Sequence, residues 1–133
     1  MEVKTLNILY SLDDNFINYT KTSMLSLLNN SKEFVNFYLL TNSEVISEKD
    51  FDVLRRVRDC NIKLVFVPES KYKFLESRKM FKHLSVATYF RHFASELIED
   101  VSKAVYIDSD TLIVGDINNI LNENVGSFEY VRG

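Results

Sequence analysis

The chain has 133 residues, 46% of them apolar with ten Phe and seven Tyr, so one domain can hide roughly two thirds of its unfolded surface in an aromatic-rich core. Its net charge of −3, without a dense Lys/Arg run, argues against nucleic acid or another polyanion as partner. A single cysteine, Cys60, excludes an internal disulfide and a thiolate metal cluster and suits a reducing cytoplasm, while three glycines (Gly115, Gly126, Gly133) cannot spell a glycine-rich dinucleotide turn or phosphate loop.

The apolar run Leu6 to Leu12 predicts a buried strand, ended by Asp13-Asp14-Asn15. The run behind Met1 is too short for a signal sequence or a membrane span. Ile17 to Asn30 has helical spacing with Met24, Leu27 and Leu28 on its inner side. Phe34 to Thr41 predicts a second strand. Ser47 with Glu48 and Asp50 marks a helix start, since oxygens and acidic groups suit free N–H groups there; Phe51, Leu54 and Val57 form that helix's apolar stripe. Arg55-Arg56-Val57-Arg58 reads as a solvated face of the same helix.

Ile62 to Val67 predicts a third strand, stopped by Pro68. Glu69 to Lys82 is polar, basic and unassigned. Ser85 opens a helix to about Glu99, with Val86, Tyr89 or Phe90, Phe93, Leu97 and Ile98 inward. His83 reads as a helix-entry residue, His92 as surface and Tyr89 as packing. Lys103 to Ile107 is a fourth strand; Asp108-Ser109-Asp110 follows, and Thr111 to Val114 continues extended. Alternating strands and helices predict an α/β domain with a mainly parallel sheet, in which ligands lie beyond the carboxyl ends of the strands. Both Asp13-Asp14-Asn15 and Asp108-Ser109-Asp110 fall at such ends and can share one cleft.

In an extended chain, residues i and i+2 point to one side, about 6.5 Å apart. Asp108 and Asp110 so placed repel each other, and a hard divalent cation relieves this by bridging them at about 2.0–2.6 Å. Oxygen-only ligands favour Mg or Mn, and a diphosphate fills the open positions. A second acidic pair, Asp50-Phe51-Asp52, sits at a helix start and is assigned no metal role.

Three blocks carry a family resemblance: Asn7 to Phe16 with its acidic-Asn-aromatic ending, His83 to Arg91 with Thr88-Tyr89-Phe90-Arg91, and Lys103 to Ile117 around the acidic motif. In order and approximate spacing they resemble glycosyltransferase family 8, the family of glycogenin and bacterial lipopolysaccharide galactosyltransferases. The resemblance implies a GT-A (Rossmann-like) fold and a metal-dependent retaining hexosyltransferase. A UDP-sugar is the implied donor, a glycan or glycolipid of the bacterial surface the acceptor, and Mn (or Mg) the cofactor. It places Asp13 on the uracil edge, Asn15 on the ribose, and Phe16, where the family usually has Tyr, stacked on the base. Arg91 would reach the diphosphate and sugar; Ser11, Asp108 and Ser109 complete the nucleotide-sugar set, and Asp108 and Asp110 hold the metal. Members of the family are longer. Their later half supplies a histidine metal ligand, the acceptor site and the candidate catalytic residue, so the chain reads as a single donor-binding domain (residues 1–133), the N-terminal half of a longer cytoplasmic enzyme. Phe128 to Arg132 resembles the strand after the metal motif. The resemblance assigns no catalytic residue within the chain, and implies no transfer by these residues alone. Membrane contact, if made, is peripheral and made through the later part.

Two other readings compete. A donor-binding module without turnover needs no acceptor site. A haloacid-dehalogenase-type phosphatase also sets Asp-x-Asp after an apolar strand, but that family's threonine falls one position later than Thr111 and its motif follows the first strand, whereas three predicted strands precede this one.

Overall fold

The computed structural model describes residues 5–73, 90, 93–98, 103–117 and 128–131. Its elements are β1 (Thr5–Ser11), α1 (Ile17–Asn29), β2 (Phe34–Thr41), α2 (Asp52–Val57), β3 (Asn61–Phe66), α3 (Ala94–Leu97), β4 (Ala104–Ile107) and β5 (Phe128–Val131). Short 3-10 turns at Asp14–Phe16, Glu48–Phe51 and Glu69–Lys71 join them. Among the described residues all four strand pairings are parallel, in the order β3-β2-β1-β4-β5. The chain builds outward from β1 to β3, then returns to set β4 on the other side of β1. That reversal makes the β1/β4 junction the topological switch point, where the carboxyl ends of neighbouring strands diverge and leave room for a ligand.

Strand alternation splits the core in two. Leu6, Ile8 and Tyr10 of β1, Phe37 of β2 and Val105 and Ile107 of β4 pack on one face against Met24, Leu27 and Leu28 of α1. Leu9, Leu40, Ala104 and Tyr106 pack on the other against Tyr72, Phe90, Ala94 and Ile98. All four β4 residues are buried, as a central parallel strand covered on both sides requires. Three side-chain amides stand level on β1, β2 and β3, where Asn7 pairs with Asn36 and Asn36 with Asn61. Asn61 Nδ2 donates to Asn36 Oδ1 (2.9 Å), Asn36 Nδ2 to Asn7 Oδ1 (3.2 Å), and Asn7 Nδ2 to the Lys103 carbonyl (3.2 Å). A one-residue slip of any strand would break this line, so it pins the register.

Several expected elements differ in detail. The strand expected at Ile62–Val67 runs from Asn61 to Phe66. Val57 is 48% exposed rather than part of an inner stripe. The helix begins as a 3-10 turn, which changes its phase, and it ends at Arg58 with extended backbone. Arg58 is not a solvated charge either: its guanidinium donates to the Ser31 and Glu33 carbonyls and closes the loop before β2. Of the helix expected from Ser85 to Glu99, Ala94–Leu97 is helical with Phe90 and Ile98 buried; His83, Val86, Tyr89, Arg91 and His92 lie outside the described residues. Residues 111 to 114 follow β4 without strand pairing, and Leu112 and Val114 are exposed. No helix among the described residues is long and apolar enough to cross a membrane.

Candidate functional site

The strand ends that carry the two acidic segments meet at the switch point. Ser11 ends β1 and Asp108 follows β4; the Ser109 hydroxyl, buried, donates to the Ser11 carbonyl at 2.8 Å. This bond spans 98 positions of sequence and stitches the two strand ends together. Ser11 is 7% exposed, and its own hydroxyl has no hydrogen-bond partner among the described residues.

Asp108-Ser109-Asp110 is a turn, not the straight extended segment expected. The Thr111 N–H donates back to the Asp108 carbonyl at 3.3 Å, and the Thr111 hydroxyl donates to the same oxygen at 2.8 Å. The turn buries Ser109, leaves Asp108 half-buried and exposes Asp110. The simple i, i+2 argument for a shared side is therefore replaced by a turn geometry, with Ser109 as the buried anchor between a half-buried and an exposed acid. This donor set consists of two hard carboxylates on a turn at a strand's carboxyl end. Its chemistry fits a hard divalent cation that takes its remaining oxygens from a diphosphate. No group of three His, Cys, Asp or Glu side chains suited to a metal ion occurs among the described residues.

At the end of β1, Asp13 accepts from the Asn15 N–H (2.9 Å) and caps the 3-10 turn Asp14–Phe16. Asp14 is bonded by the Ser43 hydroxyl. Ser43 Oγ also accepts from the Val45 and Ile46 N–H groups (3.1 and 3.3 Å), so it shapes the loop after β2. Between this loop and the Asp13 turn lies a cleft of about 410 Å³, lined by Asp13, Asp14 and Asn15 on one side and Asn42, Ser43, Glu44 and Val45 on the other. Phe16 closes the same 3-10 turn as Asp14 and Asn15; the residue is 36% exposed, and its ring is tilted 48° against that of Tyr19 at 5.7 Å. Thus the structure gathers Asp13 and Asn15 at one cleft and Ser11, Ser109, Asp108 and Asp110 at the adjoining seam. Arg91 lies outside the described residues.

Sequence reading missed the far wall, Asn42 to Val45. One signal pointed there: this segment leaves the carboxyl end of β2, next to β1, as the parallel-sheet rule requires of a ligand-binding loop. The second acidic pair sits at the helix start expected of it. The Ser47 N–H donates to Asp50 Oδ2 (2.9 Å) and Asp52 pairs with Arg55 (3.1 Å), both exposed. Asp50→Asn with Asp52→Asn should lower stability by about 0.5–2 kcal/mol through the weakened cap while leaving nucleotide affinity unchanged. Thermal melts beside calorimetry with UDP check both halves; a fall in affinity would return the pair to the list of candidate ligands.

The family model for glycosyl transferase family 8 matches residues 7–132. Streptococcus pneumoniae glycosyltransferase GlyF is 31% identical over 111 residues, covering 84% of this chain and 27% of its own length. The lipopolysaccharide 1,2-glucosyltransferase of Escherichia coli K12 is 28% identical over 122 residues, 88% of this chain and 35% of its own length. The chain therefore spans about a third of the length of these relatives. The crystal structure of galactosyltransferase LgtC in complex with donor and acceptor sugar analogues superposes with a TM-score of 0.73 at 24% identity. It covers 91% of this chain and 44% of its own, and that likeness shows the GT-A fold.

Proposed function

The chain belongs to glycosyltransferase family 8, and on that premise we propose that it is the donor-binding part of a divalent-metal-dependent retaining hexosyltransferase. In this reading a UDP-sugar is the donor and a glycan or glycolipid of a bacterial surface the acceptor, with the nucleotide bound on the cytoplasmic side. The supporting observation is the Ser109–Ser11 bond, which sets the acidic turn after β4 against the end of β1 at the switch point of the sheet.

Asp108 and Asp110 would hold the cation, Mn or Mg. When bound, such an ion neutralises the diphosphate and stabilises it as a leaving group. Asp13 accepts from the base, Asn15 bonds the ribose, and Phe16 lays its exposed ring on the base. Ser11 and Ser109 fix the seam over which the diphosphate lies. With three glycines and no phosphate loop, the chain's own phosphate contacts fall to the acidic turn's cation and to Arg91. The chain's similarity to a lipopolysaccharide 1,2-glucosyltransferase supports the surface-glycan acceptor.

Saturation-transfer NMR with UDP, CDP, ADP and GDP in magnesium, the diamagnetic ion of the pair, tests the reading. UDP should displace the others and lose its signal when the metal is chelated; equal binding of all four would remove it. Arg91→Ala should weaken UDP-sugar binding about tenfold to a hundredfold, the worth of one charged hydrogen bond of roughly 1.5–3 kcal/mol. Unchanged affinity for the intact donor would take Arg91 out of the site.

A further inference from the structure

Three hydroxyls form a line from the core to the acidic turn. Tyr10 OH lies 2.7 Å from Ser23 Oγ, Ser23 Oγ lies 3.2 Å from Thr111 Oγ1, and Thr111 Oγ1 donates to the Asp108 carbonyl at 2.8 Å. Each hydroxyl has one proton. Thr111 gives its proton to Asp108, so Ser23 gives its own to Thr111, and Tyr10 to Ser23. The direction is thereby set from phenol to serine to threonine to main-chain carbonyl. Tyr10 and Ser23 are fully buried. Burial holds the phenol protonated far above its ordinary range, outweighing the opposite pull of the Ser23 bond, so this first donor persists at any working pH. Hydrogen bonds aligned in one direction polarise one another in a medium of low dielectric.

Helix α1 grips the same segment twice more. Ser26 Oγ accepts from the Ile113 N–H at 2.8 Å, and Asn30 Nδ2 donates to the Ile113 carbonyl at 2.8 Å. The acidic turn is therefore clamped in front by Ser109 on Ser11 and behind by the residues of α1. A turn that served only to leave β4 needs no such buried polar stripe, for which α1 gives up apolar positions on its inner face.

We propose that Tyr10, Ser23 and Thr111 are positioning residues that set the orientation of Asp108, and through it the cation affinity of the acidic turn. This rests on the reading of Asp108 and Asp110 as cation ligands. Residues that hold a ligand from behind typically contribute about tenfold to a hundredfold in metal affinity.

The test is manganese binding to the 133-residue chain with saturating UDP, read by the electron paramagnetic resonance of the free aqueous ion, with circular dichroism as the fold control. Thr111→Val keeps the shape and removes the hydroxyl; it should weaken manganese binding about tenfold or more, with Thr111→Ser restoring it. Tyr10→Phe should act in the same direction, and adding it to Thr111→Val should cost little more, because the line is already cut. Wild-type affinity in Thr111→Val, alongside its loss in Asp108→Asn, would overturn the inference and leave the metal site standing. Wild-type affinity in Asp108→Asn would remove the metal reading, and this inference with it. If Thr111→Val fails to fold, Tyr10→Phe decides: weakened manganese binding supports the inference, and wild-type affinity overturns it.

Discussion

Replacing both acids of the turn, Asp108→Asn with Asp110→Asn, should abolish the manganese-dependent part of UDP binding. Two charged contacts of about 1.5–3 kcal/mol each correspond to a hundredfold or greater rise in Kd. Asparagine preserves size and the turn, whose bonds run through the Asp108 carbonyl, the Thr111 hydroxyl and the Ser109 hydroxyl rather than through either carboxylate. The fold should survive, and only the charge is lost. Uridine, which has no phosphate, should bind the double variant as it binds the parent. Calorimetry with UDP and with uridine, each with manganese and with chelator, separates these cases. An equal loss for uridine would mean that the substitutions had damaged the seam rather than removed a cation.

The second large effect concerns the scaffold. Phe37 is fully buried in β2 with its ring 6.3 Å from that of Tyr10, beneath α1 and beside the line of hydroxyls. Phe37→Ala should cost roughly 3–5 kcal/mol from lost transfer energy and the cavity left behind. A domain's whole stability is about 5–15 kcal/mol, so the variant should melt about 10 °C or more below the parent. A shift of under about 2 °C would show that this face of the sheet is looser than its burial indicates.

Much of this architecture was legible from residue pattern. The runs Leu6–Leu12, Phe34–Thr41 and Lys103–Ile107 are largely apolar and each is followed by Asp or Asn, and each became a parallel strand close to the expected ends. That the strand ends carrying the two acidic segments lie side by side follows from the rule for parallel sheets, but the cleft is lined by Asp13–Asn15 and the loop after β2, without Asp108 or Asp110. What stayed hidden depended on pairing across long sequence distances. Residue pattern gives no sign that Ser23 and Ser26 are buried; Tyr10, Thr111 and the Ile113 N–H satisfy them from elements up to 88 positions away. Arg58 reads as a surface charge until the Ser31 and Glu33 carbonyls come within reach. Val57 was misplaced because periodicity assumes 3.6 residues per turn throughout, whereas this helix opens with a 3-10 turn. Asp108 and Asp110 were found as a motif, but the turn that carries them belongs to tertiary bonding.

The most direct measurement is manganese anomalous scattering from crystals of this chain grown with UDP and manganese. The expected result is one peak about 2.0–2.6 Å from carboxylate oxygens of both Asp108 and Asp110, bridged to a diphosphate, with uracil in the cleft beside Asp13. A peak away from this turn, or a nucleotide seated at neither the Asp13 cleft nor the β1/β4 seam, would contradict the assignment.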